Sequence, residues 1–313
     1  QFNNVIMNIM KEMKHPVYDM IQEMKERENS LPNIDFPKQP RNDMFNHKYD
    51  TSRELIDAWR KMGLCKLKDT DQPYLKWGET LLFDFDQANM LKTHDAKRVL
   101  MANEVSNGNP WTFWGRHPIK LHQQHLKGIK QWGERSVKSL FLGKIENSTQ
   151  EKHRTQHDWS TCVEEFSCPL NGQWKYNQDE YLERLSITKF GLCLPGYGPK
   201  CNREIELMGL GVVPIVTHGV DTQNYINPLK EGIHYLYAET PNDVKKLIRE
   251  CSKKQWETMS KNVVDWYNEN ASPKGSFELT QSKIQHYIPK IDFVYSWCGE
   301  KHDNSNRRNR SCN

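Results

Sequence analysis

The sequence predicts an α/β protein built from two units, on three observations. Its 313 residues are roughly two domains at about 150 residues each. In the second half, short apolar runs alternate with helical stripes, the pattern of a parallel sheet covered on both faces. A glycine-bearing turn between Leu194 and Asn202 feeds one such strand into a helix.

Along the chain, residues 1–30 read as helix: Val5, Ile6, Ile9, Met10, Met13, Val17, Met20, Ile21 and Met24 recur at helical steps. This methionine-rich stripe is expected to be a packing face, with a partner groove as the alternative. Pro32, Pro37 and Pro40 mark loop, and residues 52–62 a short helix. Residues 80–85 and 98–102 read as strands. Pro118 opens a helix expected to run to Trp132 and close at Gly133. Strands are expected at 137–143, 187–194 and 212–216, with a helix at about 202–210 between the last two. After Pro241, Val244, Leu247, Ile248 and Cys251 form one helical stripe, and Trp256, Met259, Val263 and Trp266 a second. The boundary falls near residue 130, giving units 1–130 and 131–290 and a tail 291–313.

Composition narrows the function. There are 44 basic and 40 acidic residues, a net charge of +4, too balanced to imply nucleic acid. The 10 Trp, 12 Tyr and 11 Phe argue against disorder. No run of about 18 apolar residues occurs, so no transmembrane segment is expected. Eight cysteines without a CxxC pair or zinc spacing read as free thiols, which points to a reducing, cytoplasmic setting. In that setting the sequons at Asn147, Asn270 and Asn309 carry little weight. The opening Gln-Phe-Asn, with neither initiator Met nor signal peptide, reads as a fragment of a longer chain.

The stretch KFGLCLPGYGPKCNREIELMGLGVVPIV, residues 189–216, is the most informative. Pro195-Gly196-Tyr197-Gly198-Pro199 makes a tight turn, and a helix then starts with Asn202 as its expected N-cap. A glycine-rich turn at a helix N-terminus exposes N–H groups and the positive dipole end, a ready anion site. Lys200 and Arg203 add formal charge there, as a diphosphate requires. Glu206 lies one turn in, on a side that reaches a sugar hydroxyl. The alternative is a plain turn with Glu206 solvated. Neither GxGxxG nor GxxxxGK[ST] is present, so no dinucleotide fold or P-loop is supported.

This order of strand, Pro-Gly loop, basic residues, helix with an internal Glu, and a "VPIV" strand resembles the donor half of GT-B glycosyltransferases. Exostosin-like enzymes and similar viral domains of large algal viruses share the pattern of Arg203, Glu206, Gly211 and Pro214-Ile215-Val216. The resemblance spans residues 136–277. It implies two Rossmann-like domains with a donor/acceptor cleft between them, the first binding a glycan acceptor and the second a nucleotide sugar. It implies an inverting transfer from a nucleoside-diphosphate sugar, with UDP-sugars favoured and UDP-xylose among them, to a glycan hydroxyl. It also implies Glu206 on the ribose, Lys144, Arg154, Lys200 and Arg203 on the diphosphate, and Gly196, Tyr197, Gly198, His218 and Tyr225 lining the donor. No metal or other cofactor is implied, the nucleotide sugar being a co-substrate.

A base for the acceptor hydroxyl is expected from the first unit, at Asp84, Asp86, Glu104 or His117. Asp84-Phe85-Asp86 also fits the metal-holding DxD of a GT-A transferase. A non-catalytic sugar-binding or scaffolding module is the other alternative. His117, His122 and His125 match no metal site and are expected on the surface. Trp111, Phe113 and Trp114 are core or an acceptor platform. Residues 291–297, IDFVYSW, resemble the opening strand of the stealth transferase family, although Cys298-Gly299-Glu300 departs from its usual Val-Asp-Gly. That likeness implies further catalytic domains in the same native chain.

Overall fold

A computed structural model describes residues 10–13, 16–38, 51–72, 75–83, 98–102, 110–170, 174–196, 198 and 200–287. Asp84, Asp86, Glu104, Tyr197 and the tail 291–313 lie outside the described residues.

Two five-stranded sheets organise the chain. The first sheet holds β1 (Asn33–Pro37), β2 (Lys66–Thr70), β3 (Leu75–Trp77), β4 (Thr80–Phe83) and β5 (Arg98–Met101), in the order β2-β1-β3-β4-β5. It is mixed: β3 runs antiparallel to both β1 and β4, while β1–β2 and β4–β5 are parallel. Gly78, at φ 59°, turns the chain between β3 and β4.

The second sheet is parallel throughout and runs β10-β9-β8-β6-β7. Its strands are β6 (Val137–Leu142), β7 (Glu165–Ser167), β8 (Thr188–Cys193), β9 (Val213–Thr217) and β10 (Leu236–Ala238). In chain order from the edge this is 2-1-3-4-5, a doubly wound order whose direction reverses between β6 and β8. The continuous apolar runs of β6, β8 and β9 follow from burial on both faces.

The helices are α1 (Pro16–Ser30), α2 (Thr51–Lys61), α3 (Pro118–Leu126), α4 (Ser148–Thr155), α5 (Gln178–Ser186), α6 (Asn202–Gly209), α7 (Pro241–Glu250), α8 (Lys253–Asn270) and α9 (Pro273–Gln285). Two expectations change here. α3 stops at Leu126, not Trp132, because Gly128 takes φ 102° and turns the chain out of the helix. Four described members of the methionine stripe, Met13, Val17, Met20 and Met24, are exposed, while Val5, Ile6 and Ile9 lie outside the described residues.

The halves share a core. α9 crosses back from the second sheet, where Trp59 Nε1 donates to Ser276 Oγ at 2.9 Å and Trp111 Nε1 donates to Thr280 Oγ1 at 2.8 Å. Phe277 stacks on Trp77 at 5.2 Å. Trp111 and Trp114 are fully buried core residues, 4.9 Å apart edge to face, which settles them as packing and not as an acceptor platform.

Candidate active site at the sheet switch point

In a doubly wound sheet, ligands sit beyond the carboxyl ends of the strands where the winding reverses. Here that is the gap between the ends of β6 and β8. The first leaves through Gly143-Lys144 and the second through Leu194-Pro195-Gly196, and α6 begins just after. The cap of α6 is Cys201, one residue before the expected Asn202. Its backbone N–H donates to Glu204 Oε2 at 2.8 Å in a capping box. Asn202 Nδ2 instead donates to Trp114 O at 2.9 Å, tying α6 to the first half.

Three cations of the expected set are buried, Arg154 at 6% exposed, Lys200 at 2% and Arg203 at 8%, and the two arginines converge on this gap. Among the described residues, none of them has a carboxylate within ion-pair distance. Arg203 Nη2 donates to Leu142 O at 2.9 Å, and the guanidinium lies 4.3 Å over the Phe141 ring. Its Nε and Nη1 have no partner. Arg154 spans the gap: Nε donates to Pro195 O at 3.1 Å and Nη1 to Lys144 O, which holds the two loops together. Side chains press closely on the glycines of both loops. A Cβ at Gly143 would meet Arg203 Nη2 at 2.6 Å, and one at Gly196 would meet Cys201 Sγ at 2.3 Å. Gly198 is buried in the same turn.

Lys200 does not face the gap as expected. Its ammonium donates to Ala102 O at 3.0 Å and to Asn224 O, and lies 4.7 Å over the Tyr225 ring. It thus ties the turn after β8 to the end of β5 in the other half. Burial pushes it down to about 8, with Asp221 opposing.

Glu206 is 3% exposed, so the solvated alternative is excluded. Its Oε1 accepts the Arg116 backbone N–H at 3.0 Å and its Oε2 the Tyr181 hydroxyl at 2.9 Å. Each oxygen thus accepts one hydrogen bond and keeps a second lone pair. The buried carboxyl with an open oxygen is Glu204: its Oε1 has no partner, and burial pushes it up to about 7 despite the Arg203 charge.

Lys144 is half-exposed and pairs with Glu146 at 2.7 Å, so it stands at the rim. His218 is exposed beyond β9; burial lowers the titration of His153, and the charges of Lys152 and then His218 lower it further. Tyr225 is buried with an unpartnered hydroxyl. His117 caps α3, with Nδ1 3.2 Å from Glu54 Oε2. His122 and His125 are half-buried, not on the surface: their rings stack at 5.9 Å, and His125 Nδ1 is 2.7 Å from Gly209 O. Among the described residues, no three His, Cys, Asp or Glu side chains gather as a metal site, and no helix is long and apolar enough to cross a membrane.

Sequence reasoning missed Glu204, Tyr181 and Arg116. The available signal for Glu204 was its place three residues after the cap, where a Glu reaches back to the cap N–H.

No protein-family model and no curated protein matches this chain. Among solved structures, it is similar to the C-terminal domain of a glycosyl transferase group 1 family protein (LpcC) from Francisella tularensis, at 11% identity over 50% of this chain and 94% of that one, TM-score 0.30. It is also similar to Anabaena Alr3699/HepE in complex with UDP-glucose, at 9% identity over 75% and 77% of the two chains, TM-score 0.38. A third likeness is to the E. coli trehalose-6-phosphate structure bound with UDP-2-fluoro glucose, at 10% identity over 68% and 62%, TM-score 0.40.

Proposed function

We propose that this protein is a GT-B-type glycosyltransferase that takes a nucleoside-diphosphate sugar and passes the sugar, with inversion, to a glycan hydroxyl. UDP-sugars are the favoured donors, UDP-xylose among them. The observation that carries the reading is Arg203: a buried guanidinium with two unpartnered nitrogens, at the N-terminus of α6, beside the switch point of a parallel sheet. A buried cation without a counter-charge is costly unless something anionic completes it. A diphosphate does so with oxygens that match the fork of a guanidinium.

In this reading Arg203 and the amides at the start of α6 take up the charge that develops on the diphosphate as the anomeric C–O bond breaks. Arg154 acts through the loops, keeping Lys144 and Pro195 at a fixed separation. The acceptor oxygen forms the new bond to the anomeric carbon and its proton passes to a base. Among the described residues His117 is the base candidate, oriented at Nδ1 by Glu54 and adjacent to Arg116, which touches Glu206. Side-chain cations do this work in the proposal, without a metal.

The test is incubation with UDP-glucose, UDP-xylose and a GDP-sugar, following donor hydrolysis and thermal unfolding. Slow release of nucleoside diphosphate together with a rise in Tm is expected. A Tm unmoved by every nucleotide, with no hydrolysis, sinks the proposal and leaves a non-catalytic module.

A further inference from the structure

Two hydrogen bonds from α6 land on the segment that leads into His117. Asn202 Nδ2 donates to Trp114 O at 2.9 Å, and Glu206 Oε1 accepts the Arg116 N–H at 3.0 Å. Residues 111–115 are buried yet belong to neither helix nor strand, so their polar backbone groups need partners from elsewhere. α6 meets two such needs of this segment from the other half. The fit between the two bonds is tight: a Cβ on Gly115 would meet Glu206 Cγ at 3.0 Å and Leu121 Cδ2 at 2.7 Å. The Tyr181 hydroxyl, donating to Glu206 Oε2 at 2.9 Å, holds the carboxylate from its other side.

His117 comes next and is held from a different element. It stands at the N-cap of α3, but its side chain makes no capping bond. Glu54 of α2 engages both the ring and the helix end: Oε2 lies 3.2 Å from His117 Nδ1, and Oε1 accepts the Ile119 N–H at 3.2 Å. An ionised carboxylate only accepts, so Nδ1 carries the proton and Nε2 is the nitrogen that can take one. Glu54 thus fixes the ring, and α6 fixes the backbone that carries it. The α6 residues that do so flank Arg203, with Asn202 just before it and Glu206 one turn after.

We propose that Asn202 and Glu206 are positioning residues for His117: through them the helix that receives the diphosphate also sets the base, and proton removal is tied to an occupied donor site. This rests on the proposed function and deepens it. It gives Glu206 a task other than the ribose contact that the resemblance implies. A shift of α6 carries the Trp114–Arg116 segment with it and draws His117 off the acceptor hydroxyl.

The experiment compares Asn202→Ala, Glu206→Ala and Glu206→Gln with the wild type by UDP-glucose hydrolysis, UDP calorimetry and NMR of carbon-labelled histidine, the His117 signal being the one lost in His117→Gln. Both alanine variants are expected to lower kcat by about 10- to 100-fold, with KM and UDP affinity within about twofold of wild type. Glu206→Gln should recover most of the rate, because its amide can accept the Arg116 N–H and donate to the Tyr181 oxygen. In a His117→Gln background Asn202→Ala should cost nothing further. Whether or not hydrolysis is fast enough to follow, UDP alone should move the His117 signal in the wild type and leave it in place in the alanine variants. If Glu206→Ala does not fold, Asn202→Ala carries the comparison. UDP affinity lost in step with the rate makes these residues donor ligands and overturns the inference. So does an Asn202→Ala penalty that persists without His117, or a His117 signal that UDP moves equally in every variant or in none. A wild type that binds no UDP takes down the proposed function with it.

Discussion

Two buried arginines sit at opposite ends of the second sheet and have opposite surroundings. Arg135, 3% exposed, lies at the amino end, just before β6. Its Nε donates to Lys130 O at 2.9 Å, Nη1 to Thr188 O at 2.6 Å and Nη2 to Leu210 O at 2.9 Å, and its guanidinium lies 4.8 Å over Trp256. Arg203 is about as buried, yet it makes one such bond at the carboxyl end and leaves two nitrogens empty. Burial therefore does not distinguish the two arginines. The count of unmet donors does, and the unmet ones lie at the carboxyl end of the sheet, the end where ligands of doubly wound sheets bind.

Parallel substitutions should break the pair apart. Arg203→Met is expected to weaken UDP binding by more than about 100-fold in calorimetry, as loss of a buried charged hydrogen-bonding partner does. Its Tm should stay near the wild-type value, because the guanidinium has little to lose in the empty protein. Arg135→Met should do the reverse. It strands three carbonyls and should lower stability by about 3 kcal/mol in urea unfolding, with UDP affinity unchanged well below the transition.

A third prediction concerns the charge balance of α6. The folded pKa of Glu204 is about 7, above its ordinary 4.5. Between these values the unfolded chain has given up the proton and the folded one keeps it. Stability from this group is thus fully present below about pH 4.5, declines as pH rises, and is gone above about 7. The decline should be roughly 3 kcal/mol in the empty protein, and Glu204→Gln should flatten it. A profile identical in the two proteins would mean that Glu204 is solvated.

The smallest effect is expected from Gly143→Ala. The added methyl meets Arg203 Nη2 at 2.6 Å and the Phe141 ring at 2.9 Å, so the guanidinium must shift. UDP affinity should fall by about tenfold with little change in Tm.

The strand–turn–helix–strand unit of β8, α6 and β9 was legible in the sequence, because doubly buried strands read as unbroken apolar runs and glycine marks where the chain turns. The first sheet was legible only at β4 and β5. β2 reads KLKDT, an edge strand with little apolar content, and β1 ends in a proline, so neither carries the usual signal. α9 was missed because PKGSFELTQSKIQ has a weak stripe, and its place is set by Trp59, Trp77 and Trp111 from the far half.

At the site, the convergence of Arg154, Lys200 and Arg203 on the turn could be anticipated from chemistry, but not where each side chain ends. Lys200 turns to the carbonyls of Ala102 and Asn224, and Glu206 to Arg116 and Tyr181, because the partners arrive from segments far away in sequence. Glu204 escaped notice because its value lies in one unmet oxygen, which only the packed structure defines.

The most direct measurement is a crystal of this protein soaked with UDP. Density for the diphosphate within hydrogen-bonding distance of Arg203 Nε and Nη1, at the first turn of α6, is the predicted result. A fully occupied nucleotide seated elsewhere, with those two nitrogens still empty, would contradict it.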